Sequence, residues 1–554
     1  MRKAISLAPL LLVIALAGCK SDLSQDVHGA APVAAPPSSQ SSSSNEQSSS
    51  SPETDEHSFQ QDPAQASDGP GSGQASGGSG QGSSPQGSDT TSQTAAGGVQ
   101  LVPSGNGQLS VPQDSTNDQQ TSAGRPLARA PQLTQSCITT QTTGLSLQVK
   151  DAAFGAVGDG RTDDTAAIQR AINQASDAGG GTVNIPGGTY MINPIAVDSV
   201  HGLMMRNNVT LKLADDAVLK ALPTNTTHYS LISFVKVENA NLVGGTLIGE
   251  RYQHTGQGGE WGHGVNIQSS QKVTVQDVTS KDFWGDGFYI GQAWQVWDAR
   301  SNQVALCNVT SVNNRRQGLS IVDGTNIRVL NSTFSRTNGI APQAGLDIEP
   351  ENGNLVENVE VRDSVFSENL GDGIVLTWGE QNDASIKGVR LESNQVLDNE
   401  SGIMLHRAIG CQVINNTIRN AGNQLNMAFP MTLHLFSGAT DNQVTGNVHI
   451  GGKTVDAGVH NHVDDAATKA GTYVRGTTKV GQTVHAEVLD PNGVPENVNY
   501  QWLADGVAIP GATSRSYQLT DADANKTITV TTTFTDLGGN GENTSSVGII
   551  AQHP

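Results

Sequence analysis

The chain predicts an all-β protein: a right-handed parallel β-helix with an N-terminal capping helix, followed by a small β-sandwich. Three observations carry that reading. First, six segments share one form, a glycine opening an alternating apolar strand. They are Trp261-Gly-His-Gly-Val-Asn-Ile267, Trp284-Gly-Asp-Gly-Phe-Tyr-Ile290, Arg315-Arg-Gln-Gly-Leu-Ser-Ile321, Pro342-Gln-Ala-Gly-Leu-Asp-Ile348, Leu370-Gly-Asp-Gly-Ile-Val-Leu376 and the shorter Glu400-Ser-Gly-Ile-Met-Leu405. Their glycines, Gly264, Gly287, Gly318, Gly345, Gly373 and Gly402, stand 23 to 31 residues apart, the interval of a solenoid. Second, Val209, Leu242, Val273, Val304, Ile327, Val359, Val389, Val413 and Val444 each open another short strand, 23 to 33 residues apart. That period is too long for a leucine-rich repeat and too β-rich for paired helices. Third, Asp277, Asn308, Asn331 and Asp363 follow four residues on in four of these strands, where an Asx side chain can bond the backbone of a tight turn. Coils of three strands with turns of uneven length account for the wandering interval.

Taken from the N-terminus, residues 1–19 read as a secretory signal. Arg2 and Lys3 precede an apolar run from Leu7 to Leu16, too short for a membrane span. Leu16-Ala-Gly-Cys19 resembles the lipobox of bacterial lipoproteins. The resemblance implies cleavage before Cys19, lipid on its thiol and, with Lys20 following, anchoring at the outer membrane. Residues 20–140 are rich in Ser, Gly, Gln and Pro. Such a segment cannot bury enough apolar surface to fold, and is expected to be a disordered tether. The β-helix is expected over 141–465 and the sandwich over 466–554.

Ahead of the coils, Phe154-Gly-Ala-Val-Gly-Asp-Gly-Arg-Thr-Asp-Asp164 leads into Ala167, Ile168, Ala171, Ile172 and Ala175 at helical spacing. Asp163 or Asp164 is placed to cap that helix. Gly179-Gly-Gly-Thr-Val-Asn-Ile-Pro-Gly-Gly-Thr-Tyr190 then starts the strands. FGAVGDG-x-TDD-x-x-AIQ-x-AI…GGGTV-x-IP-x-GTY strongly resembles the N-terminal region of the pectate-lyase-like β-helix superfamily, which includes rhamnogalacturonase-like and polygalacturonase-like hydrolases, phage depolymerases and alginate epimerases. The resemblance covers about residues 150 to 190 and implies a carbohydrate-active β-helix. It does not select a reaction. The polygalacturonase motif set is not reproduced, and the Asp-Pro-His motif of alginate epimerases is absent.

Within the repeats, residues two apart point to one face. Asn266, Tyr289, Ser320, Asp347, Val375 and Met404 form one outward row; Gln268, Gly291, Val322, Glu349, Thr377 and His406 form a second. Ile267, Ile290, Ile321, Ile348, Leu376 and Leu405 between them form the inward stack. His263, Asp286, Gln317, Ala344 and Asp372 precede the glycines. The candidate catalytic residues are therefore Asp347, Glu349, Asp372 and Asp286. Glycoside hydrolysis needs two such groups, and crowding separates their proton affinities. Arg315, Arg316, Gln317, Gln343, Tyr289, His406 and His263 are candidate substrate-binding groups. Trp284 and Trp378 are expected to stack on sugar rings, for five of the six tryptophans fall between 261 and 378.

These residues predict a surface-anchored polysaccharide-degrading enzyme whose carboxylates hydrolyse glycosidic bonds without a cofactor or metal. Two alternatives stand beside it. One is β-elimination on a uronate polymer, in which the acids could hold Ca²⁺. The other is a non-catalytic polysaccharide-binding matrix protein. A net charge of −21 argues against nucleic acid as a partner. Cys307 and Cys411, several coils apart, are expected to be small buried residues rather than a bridge. Past Gly471 the repeat stops. Tyr500-Gln-Trp502, Asp505-Gly506 and Ser516-Tyr-Gln-Leu519 read as sandwich strands and turns. They resemble bacterial immunoglobulin-like modules, with Trp502 in the core and an accessory role implied.

Overall fold

The computed structural model describes residues 144–553 apart from 294–298, 352, 378–384 and 421–430. Strands stack coil upon coil into three parallel sheets, of 14, 12 and 10 strands among the described residues. The first strand is Leu145–Gln148 and the last coil strand is Ala467–Lys469. Every coil sends apolar side chains inward. Ile267, Ile290, Ile321, Ile348, Leu376 and Leu405 pair in succession up the 10-stranded sheet and all are fully buried. In the 14-stranded sheet Val273, Val304, Ile327 and Val359 likewise pair. Leu242 and Val413 keep the inward face but stand in the neighbouring row, paired with Val275 and Leu391. The two-residue period preserves the face while the turn lengths shift the row.

Asp277, Asn308, Asn331 and Asp363 do something other than bond their own turns. All four have φ between 49° and 58°, the left-handed bend that Asn and Asp tolerate best. The side chains of three of them link adjacent coils instead: Asn308 Nδ2 donates to Asp277 Oδ1 at 2.7 Å and Asn331 Nδ2 to Asn308 Oδ1 at 3.5 Å, while Asp363 lies 3.3 Å from its neighbour Arg362. Asn394, Asn416 and Asn447 form a second ladder, buried, each Oδ1 after the first accepting from the coil below. Buried amides in such stacks are satisfied by one another and by coil carbonyls.

The helix Thr165–Asp177 buries Ala167, Ile168, Ala171, Ile172 and Ala175 against the first coils. Asp164 stands at its N-cap position, but its carboxylate accepts the Val157 and Gly158 N–H groups at 2.6 and 3.0 Å. Asp163 accepts from the Thr165 amide at 3.0 Å. One acid thus ties down the glycine-rich entry loop while the other serves the first turn.

Beyond Lys469 the strands turn antiparallel and form sheets of three and five strands. Trp502 is fully buried between them with Val484, Ile528 and Val530, and its indole N–H donates to the Ser514 carbonyl at 2.9 Å. Cys411 is free and buried. Cys307 departs from expectation: it is disulfide-bonded, and its partner lies outside the described residues. Cys19, the tether and Trp378 also lie outside them.

Candidate active site

The outer face of the 10-stranded sheet carries the acidic cluster, in the register that the two-residue period requires. Asn266, Tyr289, Ser320, Asp347, Val375 and Met404 pair in that order. Backbone bonds continue the ladder on both flanks. Gly264, Gly287, Gly318 and Gly345 donate to the carbonyls of Asp286, Gln317, Ala344 and Asp372; Glu349, Thr377, His406 and Phe436 follow one another on the other side. Neighbouring coils lie about 4.8 Å apart. Asp286, Asp347 with Glu349, and Asp372 therefore occupy three of four successive coils, with Gln317 on the coil between Asp286 and Asp347.

These acids face outward yet are not simply solvated. Asp286 is 0% and Asp347 2% exposed, because turn residues and aromatic rings close over them. Arg316 reaches from its turn to the sheet, donating Nε to Glu260 at 3.0 Å and Nη1 to Asp286 at 3.3 Å. Ser320 donates to the same Asp286 oxygen at 2.9 Å, and Gln317 Nε2 donates to Asp347 Oδ2 at 2.6 Å. The other oxygen of each, Asp286 Oδ1 and Asp347 Oδ1, is buried without a partner. Tyr289 lies along the sheet over Gly291, where an added Cβ would stand 3.0 Å from the phenol oxygen. Its ring stacks on His263 at 4.9 Å.

Burial sets the proton affinities. It lifts the Asp286 carboxyl to about 6 against the pull of Arg316 and Ser320. Asp347 is pushed well above the usual carboxylate range by burial and by Glu349 beside it, with Arg316 opposing. Burial likewise raises Glu349, part-buried, and Asp372, the latter to about 6. His263 moves the other way, to about 3, through burial and the charge of Arg316. Although its Nδ1 is 3.5 Å from Asp286 Oδ2, this is a neutral ring: Nδ1 accepts the Asp286 backbone N–H at 3.4 Å.

Several expected binding groups are committed elsewhere. Trp284 offers no free face, since His254 stacks on it at 4.0 Å and the Arg315 guanidinium lies 3.8 Å from its centre. Two groups that close to one ring centre must take opposite faces. Arg315 also donates to the Gly259 carbonyl at 2.8 Å and so turns away from the acids that Arg316 engages. Gln343 folds back on its own loop, its Oε1 accepting the Gly339 N–H at 2.8 Å. His406 stacks on Phe436 at 3.8 Å, two coils beyond Glu349, and burial lowers its affinity for a proton to about 4. Trp261, 40% exposed and stacked on His228 at 4.2 Å, keeps one face open.

Three participants went unread in the sequence: Glu260, Glu250 and His254. All lie in the insertion between Gly249 and Trp261, whose length is the only signal. Glu250 and His254 are bonded at 2.8 Å with fully buried side chains and support Trp284 from beneath. A hollow of about 340 Å³ lined by Asn207, Lys236, Glu238, Ser269 and Gln271 sits at a corner near the N-terminal coils, away from these carboxylates.

Residues 147–212 match the family model described as Rhamnogalacturonase A/epimerase, pectate lyase-like. Residues 277–465 match that of Periplasmic copper-binding protein (NosD). Among curated proteins, similarity runs to the uncharacterized protein YclG of Bacillus subtilis, 29% identical over 40% of this chain and 42% of that one. Mannuronan C5-epimerase AlgE3 of Azotobacter vinelandii is 30% identical over 35% of this chain and 12% of its own. Alginate lyase 7 of the same organism is 49% identical over 12% of this chain and 7% of its own. The chain thus spans less than half the length of these three relatives. Among solved structures, the A-module of Azotobacter vinelandii AlgE6 superposes with a TM-score of 0.38 at 21% identity, covering 58% of this chain and 95% of that one. PfbA, a surface adhesin of Streptococcus pneumoniae, gives 0.41 at 16% identity, covering 62% and 100%.

Among the described residues the coils gather no set of three acidic, His or Cys ligands that would hold a copper ion. Among the described residues the one group of three acidic, His or Cys ligand atoms within reach of an ion is Asp490, Asp536 and Glu542, in the sandwich. His406 and His434 both lie under 4 Å from the Phe436 ring centre, so that ring separates them by more than a shared ion, with bonds of about 2 Å, allows.

Proposed function

We propose that the chain is a polysaccharide-degrading enzyme that hydrolyses glycosidic bonds with the carboxylates of this face. One observation carries the reading: Asp347 and Glu349 stand two residues apart on one strand face, both with burial raising their hold on a proton and Glu349 raising that of Asp347 further. Asp347, the more buried, is the proton donor to the leaving oxygen. Glu349, more open, either takes the proton of the attacking water as base or attacks as nucleophile, the glycosyl-enzyme then being cleaved by a water whose proton returns to Asp347. Gln317 fixes Asp347 through Oδ2, which leaves the buried Oδ1 to carry the proton. Arg316 keeps Asp286 ionised and oriented. The names of the mannuronan epimerases and the alginate lyase support a polysaccharide substrate. Cys19 lipidation would hold the enzyme at the outer membrane, with the tether giving reach and the immunoglobulin-like module acting as an accessory.

A second reading, β-elimination on a uronate polymer, is favoured by one feature. Tyr289 and the neutral His263 stand together beside Asp286 and Arg316, a set able to move a proton next to a neutralised carboxylate. Incubation with a glycan panel, scored for both new reducing ends and unsaturated products absorbing in the ultraviolet, tests the proposal. Reducing ends without unsaturation are expected. Unsaturated products would replace hydrolysis by elimination, and binding without any cleavage would leave a matrix-binding protein.

A further inference from the structure

Cys307 has a covalent partner, and the chain offers few. It contains four cysteines, of which Cys411 is free. Cys19 and Cys137 remain, and the lipoprotein reading puts lipid on the Cys19 thiol. Cys137 stands eight residues before Leu145, where the first strand begins. Reach agrees with that choice. The parallel ladder steps from Gln148 through Asn184, Lys212, Val243 and Gln276 to Cys307, five coil spacings or about 24 Å. Leu145 lies three residues to the side, so the diagonal is about 26 Å. Eight extended residues span about 26–29 Å, and the disulfide adds about 5–6 Å between its Cα atoms. As a helix the same eight would cover about 12 Å and fall short.

The face to be crossed is already shielded. Ala305, Cys307 and Leu330 point away from the inward Val304, Leu306 and Val329, yet they are 1%, 1% and 8% exposed and form an apolar cluster of their own. Gln276 and Arg362, on either side of Cys307 and Leu330 in their row, are only half-buried. Nearer the first coil, Thr210, Asn241 and Thr274 are buried on the same outer face, with side chains too short to shield one another from above. Coil stacking alone does not bury an outer face. On the 12-stranded sheet the outward Thr279, Lys281, Thr310 and Val312 stay half-exposed.

We propose that Cys137 is the partner of Cys307, and that residues 138–143 run extended up the outer face of the 14-stranded sheet as a covalent strap. The strap seats Cys137 on the Ala305–Leu330 cluster and ties the chain's entry to the coil that carries Asp286. Between 137 and 307 it closes a loop of 170 residues that contains the capping helix and the first coils. Each coil of a solenoid is held only by its neighbours, so such a loop blocks peeling from the N-terminal end. A stable disulfide also suits the oxidising compartment to which the secretory signal would deliver the chain.

The mature protein, purified without reductant and digested with trypsin, tests the pairing. Residues 130–150 and 301–315 are tryptic peptides with one cysteine each. They are expected as one linked species that separates on reduction. Residues 301–315 linked to the peptide of Cys19, or both peptides found with free thiols, overturns the pairing. The strap itself is tested by Cys137→Ser, Cys307→Ser and the double variant. Each single change should lower the thermal midpoint by at least about 5 °C, and the double by no more than either. Unchanged midpoints, or losses that add, overturn the strap even where the bond is found. Neither result bears on the glycan reading, which rests on other residues.

Discussion

The coils carrying Asp286 to Glu349 and the coils directly above them differ on only one side of the same sheet. Inward, both present an unbroken column, Ile321 and Ile348 giving way to Leu376 and Leu405, all fully buried. Outward, Ser320 and Asp347 give way to Val375 and Met404, which pack with Ala344 and Phe436 into a small apolar cluster. Core packing dictates the inward column, because a single misplaced polar group there has no partner. The outward rows answer only to what covers them. Chemistry is therefore written on the outer rows, and it can change within two coils without disturbing the fold.

The largest expected effect comes from moving charge across that divide. Ile348→Asp places a carboxylate in the apolar column and should destabilise by about 3–5 kcal/mol, as an unpaired buried charge does, seen as a collapse of the thermal midpoint. Asp347→Ile, one residue away, should leave the midpoint unchanged or higher. Next comes Trp284→Ala. It removes the ring between His254 and Arg315 and should cost roughly 3 kcal/mol, with turnover per folded molecule little altered. If Trp284→Ala instead spares stability and abolishes glycan binding, the ring is a sugar platform after all.

A smaller effect separates the acidic coils by pH. The folded Asp372 carboxyl titrates at about 6, above its unfolded value of about 3.9. The folded state therefore binds that proton more tightly. Stability from this group is greatest below about pH 4 and is lost as pH rises through 6, by about 1–2 kcal/mol. Unfolding midpoints of wild type and Asp372→Asn, compared between pH 5 and 7.5, should converge at the lower pH, with the variant gaining at the higher. Smallest of all is His406→Ala. Its ring belongs to the Phe436 stack, so turnover should change by no more than about threefold; a hundredfold loss would join the two regions into one site.

What the sequence made legible follows the same divide. Six glycines and a two-residue period were enough to place Asp347 outward beside Ile348, because an error of one would bury the acids in the apolar column. Covering groups were not legible. Arg315 and Arg316 look equivalent in the chain, and only the fold sends one to Trp284 and the other to Asp286. Glu260 reaches Arg316 across 56 residues from an insertion with no repeat to align it. The Cys307 disulfide was not legible either: coil separation ruled out Cys411, and no repeat register reaches the cysteines that precede the coils.

The central claim is that Asp347 serves chemistry rather than the fold. Turnover and thermal midpoint of Asp347→Asn, measured on one preparation with whichever polymer the wild type cuts, test it most directly. A turnover loss of at least about a hundredfold with an unchanged or raised midpoint is the predicted result. Retained turnover, or a loss matched by a falling midpoint, would contradict it.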